Sequence, residues 1–84
     1  MTLIEFVRRM ELKLFANKHK GNWHKCSDSY LLNRLEGETI ELKDAIQKYK
    51  DGKVVWEHIA SEAADVANFA MMIADNASRR KEDR

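Results

Sequence analysis

Four acidic residues carry the chemistry that this sequence is equipped to do. Glu38 and Glu41 form one pair three residues apart and Glu62 and Asp65 form another, equidistant in sequence from the turn signal Lys50-Asp51-Gly52-Lys53. Acidic pairs at this spacing are common on solvated helices, so their number alone means little. Their placement means more. If helices enter and leave the turn antiparallel, Glu41 is level with Glu62 and Glu38 with Asp65, about 15 Å from the turn at a rise of about 1.5 Å per residue. Four carboxylates then meet across one seam, where they cannot all stay ionised without a cation. A divalent metal resolves the conflict, and all-oxygen ligands select a hard ion, Mg²⁺ with Mn²⁺ as a substitute. Mg²⁺ usually shares its shell with substrate phosphates, so the cluster implies a phosphorylated ligand. A di-iron bundle, the obvious competitor, needs Glu-x-x-His on its helices, and no Glu here is followed by His at that spacing.

The elements that must hold these residues are helices. Proline is absent and glycine occurs only at positions 21, 37 and 52, so breakers are few. The spacing of Leu3, Val7, Met10 and Leu14, widened by Ile4 and Phe6, predicts a first helix over about 2–19. A polar connection, Lys20-Gly21-Asn22-Trp23-His24-Lys25, leads to Ser27 or Asp28, either of which suits a helix N-cap. A second helix follows over about 28–50, with the stripe Leu31, Leu35, Leu42, Ile46 and Tyr49. Lys48 and Lys50 complement its dipole and Gly52 stops it. The third, about 54–78, is apolar over most of its circumference. Ile59, Ala63, Val66, Ala70, Ile73 and Ala77 line one side, and Ala60, Ala67, Met71 and Ala74 extend it. Such a helix is buried on several sides. Two companion helices from so short a chain are too few to cover it. The expectation is therefore an all-α, three-helix chain that associates into an oligomeric bundle, most simply a twofold homodimer or a dimer of dimers.

At about 100° per residue, Glu38 projects only about 20° from Leu31, inside the apolar stripe of the second helix, with Glu41 on its border. Glu62 projects about 20° from Phe69 and Ile73, and Asp65 falls between Phe69 and Met72. Patterning alone does not put carboxylates there. Asp44 extends the series but points toward the polar side.

Composition bounds the alternatives. A chain of 84 residues is one domain at most, read here as a single domain over 1–84, and at this size burial is limited and a second chain helps stability. Lys and Arg total 15 against 14 acids, so no overall charge announces a nucleic-acid or membrane partner. Cys26 is alone, which excludes an internal disulfide framework and fits a reducing compartment. No segment reaches the roughly 20 apolar residues that cross a bilayer, and the first residues meet charges too early for a signal peptide. A cytoplasmic protein is expected.

At the acidic pairs the chain resembles the MazG-like all-α nucleoside triphosphate pyrophosphohydrolases, whose signature is E-x-x-E followed at a distance by E-x-x-D. The sequence reads Leu35-Glu36-Gly37-Glu38-Thr39-Ile40-Glu41-Leu42, then 20 residues between Glu41 and Glu62, then Glu62-Ala63-Ala64-Asp65-Val66-Ala67-Asn68. The match covers roughly residues 20–78. One departure is Gly37, where many relatives carry another Glu. The resemblance implies a MazG-like fold with Glu38, Glu41, Glu62 and Asp65 as Mg²⁺ ligands and catalytic carboxylates. The implied reaction converts a (d)NTP to the monophosphate and pyrophosphate by attack of an activated water on the α-phosphate, in house-cleaning or control of the nucleotide pool.

A basic loop precedes the second helix. Lys18, His19, Lys20, His24 and Lys25 crowd around Trp23, a combination that can hold triphosphate oxygens and stack on a base. In the family, residues ahead of E-x-x-E help to form the base pocket, which draws attention to Trp23 and Lys20. The bland alternative is a solvated loop whose Trp23 packs on the bundle. Arg34 lies near the Glu41 edge, placed for phosphate or for an ion pair with Glu38 or Glu41. Phe69 and Met72 flank the acids as pocket walls or as core. Asn76, one turn beyond Phe69, is a further candidate substrate contact, and His58 reads as ordinary surface. The competing reading for the whole chain is a non-catalytic helical interaction or regulatory module with the same fold.

Overall fold

A computed structural model describes residues 1–16 and 22–80. Three helices account for most of them: α1 over Leu3–Ala16, α2 over Asp28–Lys50 and α3 over Trp56–Arg80, with a single 3-10 turn at Trp23–Lys25 between the first two. No strand occurs among the described residues, so the chain is all-α. No helix among them is long and apolar enough to cross a membrane.

Local chemistry sets the helix ends. Thr2 Oγ1 accepts the Glu5 amide at 3.1 Å and its hydroxyl donates to Glu5 Oε1 at 3.2 Å, capping α1. Ser27, not Asp28, caps α2: its backbone is extended and its Oγ accepts the Tyr30 amide at 3.1 Å. At the other end Gly52 adopts φ +72°, the Gly52 amide donates to the Tyr49 carbonyl at 3.0 Å and the Lys53 amide to the Lys48 carbonyl at 2.9 Å. This is a Schellman stop, and glycine is needed because a side chain strains a left-handed residue. The expected limits of α2 hold. The third helix starts and ends two residues later than expected, since the turn runs on through Val55, and the expected stretch of the first helix beyond Ala16 lies outside the described residues.

The central element is α3, which packs against both α1 and α2, while those two do not pack on each other among the described residues. Near the N-terminus of α2, the Arg80 guanidinium donates through both terminal nitrogens to the Asp28 carboxylate, at 3.2 and 3.0 Å, so the tips of α2 and α3 farthest from their turn are held together. Leu31, Phe69 and Met72 form the core, joined by Leu14, Trp23, Cys26, Leu35, Met71 and Ile73.

Two expectations about faces are corrected. On α3 the buried positions are Ala60, Ala64, Asp65, Asn68, Phe69, Met72 and Asn76, whereas in the stripe expected to face inward Ala70 and Ala77 are exposed and Ile59, Ala63, Val66 and Ile73 half-buried. A helix apolar on most sides has no preferred inner face in its own pattern, and its neighbours choose one, here using Ala60 and Ala64 for close approach. On α1, Met10 and Leu14 are partly covered, but Leu3 is 78% exposed and Ile4 70%. The α2 stripe holds at Leu31, Leu35 and Leu42 and reaches solvent at Ile46 and Tyr49.

Candidate metal centre

The helical hairpin brings the acidic pairs together as the turn symmetry requires. One carboxylate oxygen from each of Glu38, Glu41 and Glu62 lies within 4.8 Å of the others. Asp65 joins them electrostatically but is turned elsewhere: it is 9% exposed and its Oδ2 meets Lys13 Nζ of α1 at 3.2 Å. The expectation of four carboxylates sharing one seam is thus met by three, with the fourth held by a lysine. Asp44 is exposed and pairs with Lys48 at 2.9 Å, as a surface acid should.

The cluster is desolvated at Glu38 and Glu62, while Glu41 is exposed. Glu38 Oε2 and Glu62 Oε2 are buried and have no hydrogen-bond partner among the described residues. Burial pushes the Glu38 carboxyl above its ordinary value, and the charges of Asp65, Glu41 and Glu62, with a side-chain hydrogen bond to Glu41, push further. Glu62 is raised in the same way, first by burial and then by Asp65 and Glu41, with Lys13 and His58 opposing. Orphaned buried oxygens are costly in a folded protein. An all-oxygen donor set with such oxygens and mutual repulsion fits a hard divalent cation, and Glu38, Glu41 and Glu62 are the residues that would hold it.

Basic side chains ring the acids. Arg34 Nη2 is 3.6 Å from Glu38 Oε1, and His58 Nε2 is 3.9 Å from Glu62 Oε1. The His58 side chain is 42% exposed, in keeping with a surface position at the rim of the cluster. Arg34 also stands over the Phe69 ring, 5.2 Å from its centroid, linking the acids to a small apolar cavity of about 60 Å³ lined by Trp23, Tyr30, Leu31, Phe69 and Met72 among others. Ligand pockets commonly run to about 300–1,000 Å³, so this cavity admits a base only if Trp23 or Tyr30 moves. Phe69 and Met72 belong to the core as well as to this wall.

The loop before α2 is stapled to α3. Trp23 Nε1 donates to Asp75 Oδ2 at 2.8 Å, which with Arg79 holds the Asp75 carboxyl below its ordinary range. Asn76 Nδ2 donates to the Trp23 carbonyl at 2.9 Å and reaches that of Cys26 at 3.5 Å. The Asn76 amide nitrogen, read from sequence as a candidate substrate contact, is thus committed to the loop backbone, while its Oδ1 is buried without a partner among the described residues. Trp23 packs against the core and lines the cavity together. Lys20, with Lys18 and His19, lies outside the described residues. Sequence reasoning did not reach Lys13, Asn68 or Asp75. Arg34–Glu38 and His58–Glu62 are legible as i,i+4 pairs, but the Lys13 partnership spans 52 positions and leaves no local trace.

No family model matches the chain, and no solved structure matches it. A protein of Archaeoglobus fulgidus is 35% identical to it over 74 residues, which covers 82% of this chain and 74% of the archaeal one. The chain belongs to the same family as that protein, described only as an uncharacterized protein.

Proposed function

We propose that the protein is a MazG-like nucleoside triphosphate pyrophosphohydrolase, dependent on Mg²⁺ or Mn²⁺, that releases pyrophosphate from a (d)NTP. The observation that carries this reading is the trio Glu38, Glu41 and Glu62 with its two orphaned buried oxygens. A divalent ion bound there supplies neutralisation of triphosphate charge and a more acidic water. The chain's own residues do the rest. Three carboxylates come from two helices joined by the hydrogen-bonded Gly52 turn, which sets their levels relative to one another. Arg34, held between Glu38 and Phe69, offers a guanidinium to a phosphate oxygen at the edge of the cluster. Trp23 and Phe69 present ring faces on which a base can stack once the cavity widens.

The active form in this reading is a homo-oligomer. On α1, Leu3, Ile4 and Leu12 are each about two-thirds exposed or more, as is Ile40 on α2. A second copy covering these faces removes an apolar surface that small monomers rarely display.

The test is a panel of (d)NTPs incubated with purified protein and Mg²⁺, with both products measured. Turnover of at least one, lost in Glu38→Gln and Glu62→Gln while the oligomer persists, is expected. Absence of monophosphate and pyrophosphate from every member would refute the reading and favour a non-catalytic helical module.

A further inference from the structure

Among the described residues, Lys13 is the basic group paired with these acids that comes from a helix contributing none of the four carboxylates. Its place is built, not incidental. Asn68 on α3 donates to the Met10 carbonyl on α1 at 2.9 Å, and Arg9 stands over the Trp56 ring at 5.0 Å. These contacts hold α1 along α3, and in that position Lys13 Nζ meets Asp65 Oδ2 at 3.2 Å. Glu38, Glu41 and Glu62 meanwhile converge without Asp65. An ammonium on a flexible stem neutralises a carboxylate as a point charge and is readily moved. It also repels a second cation arriving at the same carboxylate.

Resting on the metal-site reading above, we infer that Lys13 is the resident counter-cation of Asp65, and that a divalent ion gains Asp65 as a fourth ligand only by displacing it. Lys13 is then a positioning residue. It keeps the buried Asp65 compensated while no ion is bound, weakens ion binding by competition, and ties ion loading to a change at the α1–α3 contact.

Titration of the full chain with Mn²⁺ by calorimetry, with melting followed in chelator and in Mn²⁺, tests this without reference to turnover. Lys13→Met keeps the apolar stem and removes the charge. It should bind Mn²⁺ about tenfold more tightly than wild type, melt lower in chelator, and lose the gain when Asp65→Asn is added. Lys43→Met, the same charge change on an exposed lysine of α2, should not reproduce that gain. Lys13→Arg keeps the charge, grips Asp65 more firmly and should bind Mn²⁺ no more tightly than wild type, an outcome that decides the matter even if Lys13→Met does not fold. Equal or weaker Mn²⁺ binding by Lys13→Met, or tighter binding by Lys13→Arg, with wild-type binding still dependent on Glu38, overturns this inference alone. No Mn²⁺ binding by wild type or any variant overturns the metal-site reading with it.

Discussion

Glu38→Gln should make the ion-free protein more stable while removing its response to divalent ions. The substitution keeps the shape and removes one charge from a trio whose oxygens lie within 4.8 Å of one another. At that distance a fully ionised pair repels by about 1 kcal/mol in a water-like medium and about 3.5 kcal/mol at the screening of a protein surface. Glu41 is exposed, so its repulsion falls at the lower figure. The Glu62 side chain is only 15% exposed, which moves that repulsion between the two. The attraction lost is Arg34 at 3.6 Å, and with its side chain 41% exposed that pair contributes no more than about 1 kcal/mol. Glu38 also relieves part of the penalty in the wild type by taking up a proton, as its raised pKa implies. The net gain is about 1–2 kcal/mol, or about 4–16 °C in Tm for a chain of this size. Paired thermal melts in chelator and in Mn²⁺ measure it. In chelator the variant should melt above wild type, and in Mn²⁺ wild type should gain and the variant should not. A variant that is less stable in chelator, or that still gains from Mn²⁺ as wild type does, would show that Glu38 is an ordinary paired carboxylate.

The same electrostatics fix the pH profile. Glu38 and Glu62 have folded pKa values raised from an ordinary 4.5, so the folded state holds extra protons above that pH; stability of the ion-free protein should rise as pH falls from neutral through the raised values and level off near 4.5. Asp75 acts oppositely, being lowered from 3.8, so its contribution is complete above 3.8 and is lost as pH falls below it; urea midpoints in chelator should therefore pass through a maximum at mildly acid pH, and a steady rise toward neutrality would contradict the assignment. Asn76→Ala should cost about 0.5–1.5 kcal/mol by removing the side-chain hydrogen bond to the Trp23 carbonyl, which keeps the Cys26 amide as a donor, and in a Trp56→Phe background the remaining Trp23 fluorescence should shift toward that of a solvated indole.

The boundaries of α2 were the most legible part of the fold because their causes are local. Ser27 at a cap and Gly52 at a stop act within a turn of their own positions, and α2 falls over its expected span. The acidic trio was legible for a related reason. A tight turn between antiparallel helices converts sequence distance from the turn into spatial level, so Glu41 and Glu62 had to meet if the hairpin formed. The face of α3 was not legible. Ile59, Ala63, Val66 and Ile73 offered as good an apolar stripe as the face actually buried, and the buried face carries Asp65, Asn68 and Asn76, which patterning counts against it.

By itself, then, the sequence determined an all-α chain, the ends of α2 and the convergence of Glu38, Glu41 and Glu62, since capping, breaking and hairpin register are short-range. Only the tertiary structure decided how α1 lies along α3, that Lys13 holds Asp65, and that Asn76 holds the Trp23 loop. Each of those contacts joins residues more than fifty positions apart. Lys, Asp and Asn carry no periodic signal that names a distant partner, so only the packing of one helix on another could select them.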